Sequence, residues 1–237
     1  MNAIFKRELR SYFTSMIGFV FITAFLLIMN AYFVVYNISR GYGLVGPAFS
    51  MMLNVILFTV PILTMRSFSE DYKQKTDQLL LTAPVKLGHI VMGKFFAVLG
   101  VFGLMLVFTL LWPLIIALWG SPNMAEIVGN YVGIVLVASV FISVGMFISS
   151  LTENQLIAAV GAYGVFFLLL ILNIVVSSLG TGLPSWAVGL FSFVSIFYRY
   201  DTVTIGLLAL DDIVYYLSVT GLFLFLCYRV LEKKRWS

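Results

Sequence analysis

Charged residues are scarce in this sequence. Only 10% of its 237 residues are Asp, Glu, Lys or Arg, whereas 62% are hydrophobic. A soluble domain carries about 25% charged and about 45–50% apolar residues. Because one aqueous core cannot bury such an excess of apolar side chains, the chain needs lipid as a solvent. The composition predicts an all-α membrane protein, residues 1–237 forming a single membrane domain.

Histidine and cysteine are almost absent, with one residue of each, His89 and Cys227. Metal sites and nucleophile–base pairs need several such groups. The segment Gly88 to Lys94 fits G-x-x-x-x-G-K of a phosphate-binding loop, but Phe95 stands where Ser or Thr would hold magnesium. We therefore assign no catalytic, cofactor-binding or metal site to the chain, and we expect Lys94 to snorkel to the membrane surface.

Ionisable side chains are also missing from the middle of the apolar runs. The polar residues there are Asn30, Asn54 and Asn173, and Asp211 and Asp212 stand where the last run begins, as helix N-terminal caps do. Carriers driven by ion gradients place ionisable groups inside the membrane. If the chain transports a solute, the energy must therefore enter from elsewhere, and the cytoplasmic loop is the element large enough to receive it.

Six apolar segments are long enough to cross a bilayer, which takes about 20 helical residues. They run from Ser15 to Tyr36, Ala48 to Met65, Val91 to Trp119, Gly129 to Leu151, Leu156 to Gly180 and Ile213 to Leu231. With the N-terminus inside, every Lys and Arg except Arg40 and Arg199 is cytoplasmic. This pattern predicts cytoplasmic termini, and it is typical of membrane anchors and not of nucleic-acid binding.

Three further segments are not predicted to span. Residues 1–14 are predicted to form an amphipathic helix in the cytoplasmic interface. Residues 66–88 are predicted to form the one sizeable cytoplasmic loop. Residues 183–212 are outside but rich in aromatic side chains, which favours short re-entrant helices. A seventh span there is the competing interpretation, and the basic C-terminal residues 233–235 argue against it.

Small residues recur at helix-packing spacing, as Gly129 with Gly133 and as Gly145 with Ser149. The spacing fits internal packing or a dimer face equally well. In the cytoplasmic loop, helix-compatible residues predict a helix from Ser69, as its N-cap, to Leu81, ahead of Pro84. A solvated loop is the alternative.

That loop reads MRSFSEDYKQKTDQLLLTAPVKLGHIVMGKF. It resembles the cytoplasmic loop of ABC-2-type permeases, and most closely that of the gliding-motility-associated permeases. The resemblance continues in IFKRELRSYFTS, SSLTENQ, YRYDTVTIGLLALDDIVYYLS and RVLEKKRW, in order along most of the chain. Lys75 and Gln78 depart from the Gly and Glu usual in the family, and Asp77 supplies an acid one position earlier.

The resemblance implies a half-transporter in the bacterial cytoplasmic membrane, most often an exporter. Two permease copies pair, and each meets a separate ATPase subunit that holds ATP and magnesium, so this chain is not itself an enzyme. It allows an accessory periplasmic or extracellular subunit. A coupling helix in residues 66–88 meets the ATPase, through residues expected to be Glu70, Asp71, Lys73, Thr76, Asp77 and Leu80.

The resemblance also places the substrate path along the first, second and fifth spans. Asn30, Asn54 and Asn173 are the candidates to line it, and the apolar surroundings suit an amphipathic or lipid-like cargo. A second hypothesis keeps the ATPase contact without transport. The chain would then be a scaffold or force-transmitting component of a motility, secretion or respiratory assembly.

Overall fold

The structure is a computed structural model that describes residues 2–39, 45–76, 86–118, 123–179, 195–197, 199–200 and 209–236. The described residues form helices and no strand. The helices are α1 (Asn2–Thr14), α2 (Met16–Phe33), α3 (Gly46–Thr64), α4 (Arg66–Lys73), α5 (Leu87–Thr109), α6 (Leu111–Ala117), α7 (Met124–Leu151), α8 (Gln155–Leu179) and α9 (Leu210–Trp236).

The six predicted spans are confirmed, and the fold is an all-α membrane protein. The helices long and apolar enough to cross a bilayer correspond to α2, α3, α5 continued by α6, α7, α8 and α9. Their bounds differ from the sequence prediction in the third, first and last spans. The third span already begins at Leu87, and it is interrupted at Leu110, where α5 ends. The first span closes with a π-helical stretch, Val34–Ile38.

The last span is longer than predicted, because α9 continues to Trp236. Acidic residues occupy its first turn and basic residues its last turn. Both charges complement the helix dipole, so the basic tail extends the helix instead of ending it. The sequence predicts Asp212 only as a cap at the start of this helix. In the structure it also forms an ion pair with Arg199 at 2.9 Å.

Helix α7 is the centre of the bundle. It packs against α3, α4, α5, α8 and α9, and 72% of its most apolar stretch is buried. Gly145 faces α3 so closely that a Cβ there would lie 2.9 Å from the Cβ of Thr64. Gly129, Gly133 and Ser149 are buried in the same chain. The small residues of α7 therefore serve packing within the chain. This favours internal packing over the dimer face that the spacing also allowed.

Helix α1 lies against the first half of α5. The side chains of Phe5 and Leu9 approach within 3.7 Å of the position that a Cβ on Gly100 would take. Tyr12 is buried where α1 meets the end of α3. The predicted N-terminal helix thus exists, and it is docked on other helices through both apolar and polar side chains.

The predicted outer segment, residues 183–212, lies mostly outside the described residues. Of its described part, Ser195, Ile196, Phe197 and Tyr200 are buried. The Tyr216 hydroxyl of α9 donates to the Ile196 carbonyl at 3.0 Å. These residues therefore pack into the bundle beside the start of α9, while the re-entrant course of the whole segment stays a prediction.

Candidate functional site

The candidate site is the short helix α4, which follows the second span after a break at Met65. Where one helix ends and another begins, the last carbonyls and the first N–H groups lose their intrahelical partners. Phe68 and Tyr72 of α4 are buried, whereas Lys73 at its end is exposed. Helix α4 is thus anchored on one face and presented to the cytoplasm at its C-terminal end in the predicted topology.

Two side chains from distant parts of the chain satisfy groups at the break. The Tyr12 hydroxyl of α1 donates to the Leu63 carbonyl at 2.9 Å. Ser149 of α7 accepts from the backbone N–H groups of Phe68 at 3.1 Å and Ser69 at 3.2 Å. The same Ser149 hydroxyl donates to the Met65 carbonyl at 3.0 Å. An external cap therefore fixes the start of α4 against the central helix.

Tyr12 is suited to be a permanent donor at this position. Burial raises the pKa of its hydroxyl, and the nearby Glu8 carboxylate raises this pKa further. The hydroxyl consequently keeps its proton, and its bond to Leu63, across the physiological pH range.

Lys94 of α5 forms the charged centre of the site. Its Nζ lies 2.6 Å from Asp71 Oδ2 and 3.1 Å from Glu8 Oε1, and it donates to the Ser67 carbonyl at 2.6 Å. Arg7 adds a second cation, 2.6 Å from Glu8 and 3.8 Å from Asp71. Lys94 is only 2% exposed. Removing one partner of such a buried pair typically costs about 3–5 kcal/mol.

The expectation that Lys94 snorkels to the surface is therefore wrong. The apolar run around it suggested a solvated head group, but the structure supplies two carboxylates and a carbonyl inside the protein. Buried ammonium groups are tolerated only with such partners. The phosphate-loop pattern ending at Lys94 reflects this structural lysine at the start of a helix.

Glu70 is held by its own helix. Arg66 donates to it through two nitrogens, at 2.7 Å and 2.9 Å, and the Gln74 amide lies 3.2 Å from it. A third guanidinium nitrogen of Arg66 is 3.3 Å from the Ser15 hydroxyl, between α1 and α2. Thr76 donates to Asp71 at 2.9 Å.

The six predicted ATPase-coupling residues thus differ in their contacts. Glu70 and Asp71 form ion pairs within the chain, Thr76 bonds to Asp71, and Lys73 is exposed. Asp77 and Leu80 lie outside the described residues. An ATPase contact at these residues stays a prediction, but the carboxylates of Glu70 and Asp71 already have partners here.

The predicted bounds of the coupling helix, Ser69 to Leu81, are wrong within the described residues. Helix α4 begins at Arg66 and ends at Lys73. Ser69 is inside the helix, where its hydroxyl donates back to the Met65 carbonyl, as serines within helices do. The helix ends because Lys75 takes a left-handed conformation with φ of 57°.

Lys75 follows the C-cap residue Gln74, at the position where helices commonly end on glycine. Its N–H bonds to the Tyr72 carbonyl at 3.1 Å. This geometry explains the Gly that the resembling family carries here, since glycine reaches positive φ without a Cβ clash. Lys75 makes the same turn at a conformational cost.

Two other elements border α4. The ammonium of Lys234, in the last turn of α9, lies 3.4 Å from the centre of the Tyr72 ring, within the range of a cation–π contact. On the other side, an open groove of about 480 Å³ separates Lys73 from the α7–α8 turn. The groove is lined by Met65, Lys73, Glu153, Asn154, Gln155 and Leu156.

The three asparagines proposed for the substrate path lie on three different helices. Asn30 is exposed on α2, and its Oδ1 accepts from Trp112 Nε1 at 2.8 Å. Asn54 is exposed on α3 and donates to the Ser50 carbonyl at 3.1 Å. Asn173 of α8 bonds to Ser195 at 3.1 Å. Their role in a substrate path stays a prediction.

Several important residues of the site were not selected from the sequence: Glu8, Tyr12, Lys94 as an ion-pair partner, and Ser149. A signal existed for two of them. Lys94 is a lone cation two turns inside α5, and Glu8 is a lone acid among basic residues. Tyr12 and Ser149 had no comparable signal, because hydroxyl groups are common in membrane helices.

Comparison with known proteins agrees with this architecture. No curated protein matches the chain. The profile of the ABC-2 family transporter protein matches residues 47–236, which include α4, the α7–α8 turn and α9. Because this match covers most of the chain, the protein is a multi-pass membrane permease component that belongs to the ABC-2 transporter family.

Proposed function

We propose that the chain is the membrane subunit of an ATP-driven exporter in the bacterial cytoplasmic membrane, with α4 as its coupling helix. The observation that supports this most is the setting of α4. This helix is held by Arg7 of α1, Lys94 of α5 and Ser149 of α7, while Lys73 at its end is exposed. A helix held in this way can pass a displacement at its end to several spans.

The partner is a separate ATPase subunit, which would hold ATP and magnesium and carry out the hydrolysis. Its docking surface comprises the exposed residues Lys73, at the end of α4, to Lys75, and the groove facing Glu153 and Asn154. The predicted contact residues Asp77 and Leu80 follow in the sequence. Asp71 then acts by holding α4 against α5, while Glu70 is engaged by Arg66 of its own helix.

A second permease copy completes the path. The most apolar stretches of α2, α8 and α9 are only 28%, 22% and 17% buried within the chain. Of these three helices, α2 and α8 both contact α3, whose exposed residues Ser50, Asn54 and Phe58 recur at helical spacing. Two chains facing each other on this side would enclose a path lined by apolar residues, Asn30 and Asn54. Such a lining suits an amphipathic or lipid-like cargo.

The test is co-expression with the ATPase subunit, purification and reconstitution into vesicles. We expect native mass measurement to show two permease and two ATPase chains, and ATP to drive lipid-like or amphipathic probes across the membrane. A complex that hydrolyses ATP and moves no probe from a broad panel would favour the scaffold or force-transmitting alternative. A purified permease that never associates with an ATPase would contradict both.

A further inference from the structure

The ammonium of Lys94 is engaged by three groups inside the protein. It donates hydrogen bonds to Glu8 Oε1 at 3.1 Å and to the Ser67 carbonyl at 2.6 Å, and it forms an ion pair with Asp71 Oδ2 at 2.6 Å. The aliphatic and aromatic surroundings add to its burial, with the Phe68 ring centre 5.3 Å from Nζ. Lys94 is therefore fixed in position as well as neutralised.

The three groups belong to two other helices. Glu8 lies on α1, and Ser67 and Asp71 lie on α4. One side chain of α5 thus ties together the N-terminal helix, the candidate coupling helix and the start of the third span. Arg7 reinforces the same joint, because it approaches both carboxylates.

Such a joint resists displacement differently from apolar packing. Contacts between apolar side chains are individually weak and have no preferred direction, so helices can slide over one another. Charge-assisted hydrogen bonds require short distances and defined directions. A shift of α4 relative to α5 would separate the buried Lys94 ammonium from Asp71 and from the Ser67 carbonyl in a low dielectric medium. Moving α1, α4 and α5 together avoids this loss.

We infer that Lys94 is the positioning residue that makes α4 move as one body with α1 and the beginning of the third span. The inference rests on the proposed function, and it adds the route by which a displacement of α4 reaches the membrane. That route passes through the Lys94 joint into α5, as well as through the direct continuation from α4 into α3.

The first experiment reads the rigidity of this body in the complete complex with the ATPase. Spin labels are placed at Gln74 on α4 and His89 on α5, both exposed, in a chain whose buried Cys227 is replaced by Ala. Labelled chains are diluted with unlabelled copies so that only distances within one chain are read. We expect a non-hydrolysable ATP analogue to change the 74–89 distance by less than about 2 Å, the size that marks a rearrangement.

The second experiment removes the joint without leaving a buried ion unpaired. The variant combines Lys94→Met, Glu8→Gln and Asp71→Asn, and Lys86→Met removes an exposed charge from the start of the same helix as the matched control. In the triple variant we expect the nucleotide analogue to shift the 74–89 distance by more than about 2 Å. In the control the distance should stay as in the wild type.

The outcomes separate the two proposals. Labels at Gln74 in both copies report whether nucleotide moves the permeases at all, and no movement there counts against the proposed function. If they move and the wild-type 74–89 distance also shifts, the Lys94 inference is overturned. The same holds if the triple variant stays as rigid as the wild type. If that variant fails to assemble, the wild-type distance alone decides.

Discussion

At the scale of single residues, the conformation of Lys75 explains what changes when a residue other than the family's usual glycine ends α4. Its φ of 57° places a residue with a Cβ in a conformation that glycine adopts without strain. For an L-residue the left-handed conformation costs roughly 1–2 kcal/mol. The end of α4 therefore carries a local cost that the family's usual glycine avoids.

We predict that Lys75→Gly strengthens the last turn of α4. A gain of about 1 kcal/mol corresponds to roughly fivefold slower amide hydrogen exchange in this turn, because exchange follows local opening. Gln74→Gly is the matched control, since Gln74 has a φ of −88° that needs no glycine. Faster exchange in Lys75→Gly than in the wild type would show that the left-handed turn is not the native end of the helix.

At the scale of the secondary-structure elements, the attachment of α4 to α7 depends on one hydroxyl group. Ser149→Ala leaves the N–H groups of Phe68 and Ser69 without this acceptor, and an unsatisfied buried group costs about 1–3 kcal/mol. We predict a drop of about 2–12 °C in the thermal midpoint of the purified protein. Hydrogen exchange in α4 should rise at the same time.

Ser143→Ala is the control for this prediction. Ser143 is equally buried on α7, but its hydroxyl donates to the Val140 carbonyl of its own helix. Its removal should change the midpoint much less. Equal losses in the two variants would mean that Ser149 contributes by packing alone and not by capping α4.

The elements also show where sequence reasoning reached its limit. The spans could be predicted because each is a run of about 20 apolar residues, a property of consecutive positions. The partners of Lys94 could not, because Glu8 lies 86 residues away and only the fold brings them together. Ser69 before two acids resembled an N-cap, but the chain is already helical from Arg66, so the serine bonds backwards to Met65.

At the scale of the whole molecule, topology follows from the distribution of positive charge. We predict that an impermeant maleimide labels Lys73→Cys and Lys233→Cys only from the cytoplasmic side, and Ala125→Cys only from outside. These three positions are exposed, and Cys227 is buried, so the native thiol adds little background. Outside labelling at position 233 would contradict the six-span topology and move the basic end of α9 across the membrane.

The central claim is that two copies of this permease are driven by an ATPase through α4. The most direct measurement is the distance between spin labels at Gln74 in the two copies of the reconstituted complex, without nucleotide and with a non-hydrolysable ATP analogue. We predict a defined distance that becomes shorter when the analogue closes the ATPases and brings the coupling helices together. No measurable distance between copies, or a distance that nucleotide leaves unchanged, would contradict it.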